Sequence, residues 1–258
     1  MRRSILRLLV VGSMVAAATA PALSQPLPHP IDDTEDTCSI TSMSPSAAYV
    51  PAVDSDDTIP VDLFLVGDRG ISEYRMTELV ARAQKAYTPL GMKLDVVGTK
   101  QVSLEGTDSK GLLNQSKSLF PDGERPADAD AVLIFTSVNM TNASGDSVAG
   151  QADCVGGIEF PTKAFVVIED DRSDAPTKFS GVTMFGHTAA KILAHELAHL
   201  FGAHHQYANC AEGIPSEMDD TEASPCTVMF NDVGLVSLAF GVLEGSVVRG
   251  YALQHLAP

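Results

Sequence analysis

The stretch HELAHLFGAHHQ, residues 195–206, places four histidines and one glutamate in twelve positions of a 258-residue chain that has only seven histidines. No other feature constrains the fold as tightly. The run FGHTAAKILAHELAHLFG (185–202) is apolar and rich in good helix formers, as a buried helix requires. On a helix, positions i and i+4 share a face, so His195 and His199 can offer two imidazoles to one ion. Glu196 is offset by one residue, too close to the pair to be a third ligand but well placed to touch a water beside them. Gly202 permits the left-handed turn that stops a helix, and a reversal there returns His205 to the same ion. Three neutral imidazoles leave a fourth position open, which is the catalytic kind of zinc site rather than the closed structural kind. Zinc would acidify the water and polarise a carbonyl, and Glu196 would take the proton. Five positions are fixed by the pattern, namely His195, Glu196, His199, Gly202 and His205, so chance agreement is remote. His204 falls outside it, and neither it nor His29, His187 or His255 is assigned a role.

The compartment follows from the N-terminus and the cysteines. MRRSILR is basic, LLVVGSMVAAATA is a short apolar run, and Ala22-Leu-Ser24 ends in small residues. Residues 1–24 are therefore expected to be a cleaved signal peptide, with cleavage after Ser24, and the protein to be secreted, extracellular or periplasmic. Loss of Arg2, Arg3 and Arg7 takes the net charge from −16 to −19, which disfavours nucleic acid and anionic membranes as partners. The acids gather in DSDD (54–57), EDDRSD (169–174) and EMDDTE (217–222). A solvated surface explains them; Ca2+ is the alternative, although none has EF-hand spacing. All four cysteines lie in the exported part, and an even count in an oxidising compartment favours two disulfides. Three pairings exist. Cys210 and Cys226 flank a polar loop and would make a clip across it, and Cys38 with Cys154 follows by elimination. No CxxC pair supports cysteine ligation of zinc.

The rest of the chain reads as alternating elements. Residues 25–59 are rich in Pro, Ser and Asp and read as a linker or short pro-segment. VDLFLVGD (61–68) is expected as a strand, then a helix capped by Ser72 and running to about Pro89, then a strand at MKLDVVG (92–98). Tyr74, Met76, Leu79, Val80, Ala83 and Tyr87 recur at helical spacing as core contacts. A short helix is expected around 112–119, and buried strands at AVLIFTS (131–137) and AFVVIED (164–170). Between those strands SVAGQADCVGGI (147–158) suits an exposed edge strand with a bulge. NQS, NMT and NAS at 114–116, 139–141 and 142–144 match the N-glycosylation pattern, which matters only in a eukaryotic secretory route.

The pattern HExxHxxGxxH, followed by a methionine in a tight turn, resembles the metzincin clan. Met229 in PCTVMF (225–230) is the candidate for that turn, rather than Met218 in the acidic loop. Element order from residue 60 to the C-terminus is similar to the reprolysin, or adamalysin, branch. The resemblance implies an α/β fold of the metzincin-like zincin type, with a twisted mixed β-sheet, long helices and a small irregular C-terminal subdomain. It also implies that an extended peptide pairs with the edge strand, here Gly150, Gln151, Ala152, Asp153 and Cys154, and that NDVGLVS (231–237) walls a specificity pocket. Three features depart from the family pattern. Gln206 stands where an aspartate usually follows the third histidine, Asn231 stands where astacins and serralysins carry a tyrosine, and no large pro-domain precedes residue 60.

The expected protein is thus a secreted zinc endopeptidase with one catalytic zinc on His195, His199 and His205, Glu196 as general base and Met229 beneath. Its partner is an extended peptide or protein substrate, with no nucleic acid and no membrane. The alternative is a secreted binding module that uses zinc as a staple; the retained Glu196 counts against it. A Cys38 thiolate capping the zinc would confer latency, whereas a Cys38 disulfide would not.

Overall fold

The computed structural model describes residues 38, 58–170, 177–179, 182–184, 188–210, 226–231 and 237–256. The signal peptide, nearly all of the linker, the acidic runs 54–57 and 217–222, His29, His187, Met218 and most of 231–237 lie outside the described residues.

Five strands form one mixed sheet in the order β2-β1-β3-β7-β6. β1 (Ile59–Asp68) pairs in parallel with β2 (Met92–Val102) on one side and with β3 (Ala131–Thr136) on the other. A two-stranded ribbon follows, β4 (Met140–Thr141) against β5 (Ser147–Val148). Then come β6 (Gly150–Ala152) and β7 (Phe165–Glu169), with β7 parallel to β3 and β6 antiparallel to β7. A short hairpin of β8 (Thr177–Phe179) and β9 (Val182–Met184) pairs antiparallel ahead of the third helix. The stretch expected as one edge strand is therefore split: 147–148 pairs with β4, and only 150–152 joins the main sheet.

Period-two alternation assigns the two faces. Leu63, Leu65, Leu133, Phe135, Val166 and Ile168 point into the larger core, shared with three helices. Val66, Val132, Ile134, Phe165 and Val167 point into a smaller one, shared with Leu112 and Leu113. Every residue of β3 is buried, as a central parallel strand covered on both faces must be.

α1 (Glu73–Tyr87) begins where Ser72 accepts a hydrogen bond from the Arg75 N–H, and buries Met76, Leu79, Val80, Ala83, Ala86 and Tyr87. α2 (Ser109–Lys117) starts three residues earlier than its apolar pattern suggests, because Asp108 caps it through the Gly111 N–H. α3 (Thr188–Leu200) packs on α1, β7 and β6. α4 (Val242–His255) has no counterpart among the elements expected from the sequence. Gly245 and Gly250 interrupt its sequence, and its apolar residues do not fall on one face; buried Val247, Val248, Tyr251 and Ala252 seat it on the larger core. The expected irregular C-terminal part thus contains a helix of 14 residues.

Cys38 is bonded to Cys154 and Cys210 to Cys226. The Cys38 N–H also donates to the Val155 carbonyl at 3.0 Å, which places Cys38 just beyond β6. Its sulfur is committed to the disulfide, so it cannot reach a metal as a thiolate.

Candidate metal centre

α3 carries His195, Glu196 and His199, with exposures of 0%, 0% and 1%. It ends in a Schellman turn: the Gly202 N–H donates to the His199 carbonyl (2.9 Å) and the Ala203 N–H to the Ala198 carbonyl (3.1 Å). Gly202 has φ +81°, and a Cβ there would lie 3.1 Å from the ring of Tyr251. A side chain at this position would be strained and also crowded. The turn sends the chain back, and His205 opens a single 3-10 turn, His205–Tyr207.

The result is a convergence of three imidazoles. Nε2 of His195 lies 3.0 Å from that of His205 and 3.1 Å from that of His199, and the last two are 3.3 Å apart. Among the described residues no other group of three or more His, Cys, Asp or Glu side chains comes together in this way. Two rings have their tautomer fixed from behind. His195 Nδ1 is 2.7 Å from the Val228 carbonyl, and His199 Nδ1 is 2.7 Å from the Ala203 carbonyl. A carbonyl only accepts, so each Nδ1 carries the proton and each Nε2 presents a lone pair. Lone pairs this close repel unless a cation sits among them. Tetrahedral zinc with Zn–N of about 2.0–2.1 Å needs nitrogens roughly 3.3 Å apart, so the trio fits that ion. Anchoring of ligand imidazoles by backbone acceptors is the usual supporting arrangement at metal sites.

Met229 lies in a tight turn in which the Phe230 N–H donates to the Thr227 carbonyl at 3.1 Å. Its side chain is fully buried in the larger core, and the preceding residue supplies the carbonyl that holds His195. Glu244, at the start of α4, secures this turn by accepting hydrogen bonds from the Thr227 hydroxyl and, at 3.0 Å, from the Gly241 N–H.

β6 crosses directly over Glu196. A Cβ at Gly150 would lie 2.5 Å from Glu196 Oε1, 2.7 Å from its Cγ and 2.6 Å from Ile192 Cγ2. Only glycine permits this approach between the strand and the carboxylate. Gln151 is tied to α2 by the Ser109 hydroxyl, and the Asp153 N–H extends the pairing with β7 by donating to Phe165 at 2.9 Å. Cys154 lies beyond the strand and is buried, so the exposed pairing edge is shorter than the five residues expected.

Several supports were invisible in the pattern. The Tyr87 hydroxyl donates to the Ala194 carbonyl at 2.8 Å, one residue before His195, and burial pushes its pKa well above the ordinary tyrosine value. The Gly156 N–H donates to the His199 carbonyl at 2.8 Å, and the Tyr251 hydroxyl donates to the Gly156 carbonyl at 3.2 Å. His204 stacks edge-on against Tyr207, outside the trio; burial, then the neighbouring His199 and His205, push its pKa down.

The family model for a reprolysin group of metallo-peptidase family M12 matches residues 34–234. No curated protein sequence matches the chain. Among solved structures it is similar to a chain from a chaperone–substrate complex, at 15% identity and TM-score 0.48, covering 78% of this chain and 34% of that one. It is also similar to metalloproteinase-II from Bacteroides fragilis, at 16% identity and TM-score 0.47, covering 84% and 55%. A third is archaemetzincin from Methanopyrus kandleri, at 19% identity and TM-score 0.46, covering 78% and 98%. The chain thus spans about a third of the first of these and about half of the second.

Proposed function

The chain belongs to metallo-peptidase family M12, and from that premise we propose that it is a secreted zinc endopeptidase. The observation that carries this reading is the meeting of three Nε2 atoms within 3.3 Å of one another. His195, His199 and His205 would hold the zinc. Bound there, zinc supplies Lewis acidity, which polarises a peptide carbonyl and acidifies water. Glu196 accepts a proton from the attacking water and returns it to the leaving amine. The buried setting of His195, Glu196 and His199 strengthens these charge interactions. Met229 and its turn form the floor and hold His195 through Val228.

The substrate lies extended along β6, the edge of the sheet, and pairs with its main chain. Gly150 then has two tasks, since it presents backbone to the peptide and leaves room beneath for Glu196. Export rests on the basic and apolar N-terminus and is supported by the two disulfides. In this reading residues 1–24 are removed, 25–59 are a linker or short pro-segment clipped to the catalytic part at Cys38, and 60–258 are the catalytic domain.

The test is a pair of proteins, the parent and Glu196→Ala, assayed for zinc per molecule and for cleavage of a denatured protein such as casein. One zinc in each and cleavage by the parent alone is the expected result. Zinc in both and cleavage by neither would favour a zinc-stapled binding module, and absence of zinc from both would remove the reading.

A further inference from the structure

At the start of α4 a pocket of about 210 Å³ is lined by Pro89, Leu90, Phe240, Val242, Ser246 and Arg249. An engineered apolar cavity of about 150 Å³ suffices for a benzene ring, so this one can take a single leucine- or phenylalanine-sized side chain. Its walls are mainly apolar; Arg249 is the one charged residue among them, Ser246 adds a hydroxyl, and Arg249 is only 8% exposed. One of its terminal nitrogens donates to the Leu90 carbonyl, and its buried Nε meets no acceptor among the described residues. No described carboxylate pairs with it. A buried guanidinium without an anion is costly. The nearest acid along the helix, Glu244, already accepts from Thr227 and Gly241. Val242 and Leu243, exposed by 60% and 57%, extend the apolar surface outward from the pocket.

We infer that this pocket binds the C-terminus of a peptide ending in an apolar residue. The apolar side chain fills the cavity, the terminal carboxylate pairs with Arg249, and the preceding residues lie over Val242 and Leu243. Arginine suits this task because its planar fork matches a carboxylate. The apolar surface beyond the mouth favours a peptide end over a small free acid, which would leave it uncovered. The pocket is joined to the metal centre by two links. Phe240 packs edge-on against Tyr87 at 5.2 Å, and the Val228 N–H donates to the Ala239 carbonyl at 2.8 Å.

Calorimetric titration of the zinc-loaded, full-length Glu196→Ala protein tests this without consuming the peptide. The probes are a short peptide ending in Ala-Leu with a free carboxylate, the same peptide amidated, and 4-phenylbutyrate. The free peptide should bind, and amidation should weaken it on the order of tenfold or more, the scale of a lost charge-assisted pair. Arg249→Met should weaken the free peptide to the level of the amide. Ser246→Phe, which narrows the pocket and leaves Arg249 intact, should abolish binding even if the arginine variant fails to fold. Equal affinity for acid and amide, binding of 4-phenylbutyrate but not of the peptide, or affinity unchanged by Ser246→Phe would each overturn the assignment. The readout is binding, so failure of the peptidase reading would leave this result standing.

Discussion

Two buried polar clusters in this molecule look alike in burial and differ in what they leave over. Around Asp68 and Asp170, 0% and 1% exposed, the protein gives every carboxylate oxygen a partner. Asp68 accepts from the Leu104 N–H and the Thr136 hydroxyl, both at 2.7 Å, and Asp170 accepts two hydrogen bonds from Arg75, at 3.0 and 2.9 Å. Around His195 and His199 the rear of each ring is held, by the carbonyls of Val228 and Ala203, and the Nε2 atoms converge with that of His205 on a common centre. A cluster satisfied by the chain holds the fold. A cluster held from behind and convergent in front has the geometry that holds a metal ion.

The largest effect expected from this contrast is on catalysis. Glu196→Ala should lower cleavage by about 10²–10⁴-fold, the usual worth of a positioned acid–base group. Zinc content and melting temperature should stay near those of the parent. A proportional loss of zinc would instead make Glu196 part of the metal's own support and blur the contrast.

Asp170→Ala should do the reverse. It takes from the partly buried Arg75 guanidinium its bidentate partner but leaves Glu78 at 3.2 Å, so the cost should be that of lost charge-assisted hydrogen bonds, about 1.5–3 kcal/mol. Denaturant unfolding measures this, while activity per zinc-loaded folded molecule should not change. A loss of activity without a loss of stability would show that Asp170 is not merely scaffold.

The two clusters were also unequally legible in the sequence. The metal centre is local: two histidines one turn apart, a glycine and a third histidine all fall within eleven residues, so spacing alone brings them together. The strands were readable because β1, β3 and β7 are dense apolar runs bounded by turn residues. What stayed hidden is non-local. No pattern links Tyr87 to Ala194 or Val228 to His195, since their separations are 107 and 33 residues. The sequence places Gly150 on the edge strand, but its contact with Glu196 is steric and has no sequence signature. The α4 helix was missed because a helix buried on several sides and broken by glycines lacks the one-sided periodicity by which helices are recognised.

Gly150→Ala probes the seam between strand and base. The added methyl meets Glu196 Oε1 and Ile192, so the carboxylate or β6 must shift. A displacement of about an ångström in a catalytic group costs up to 10²-fold. The loss should appear in kcat with zinc retained. If KM alone rises, the strand rather than the glutamate has moved.

Tyr87→Phe is the smallest and the most discriminating change. The hydroxyl braces α3 one residue before His195, at the closed rear of the metal centre, so it belongs to the scaffold side of the contrast. The Ala194 carbonyl keeps its own helical hydrogen bond when the hydroxyl is gone. The ring still packs against Phe240. The cost should therefore be that of one neutral hydrogen bond, about 0.5–1.5 kcal/mol, or a few degrees in melting temperature for a domain of this size. kcat and zinc affinity should not move. A drop in either would mean that α3 is not rigid on its own, that the three Nε2 atoms are held together partly from α1, and that the boundary between scaffold and site lies one layer further out than the buried clusters suggest.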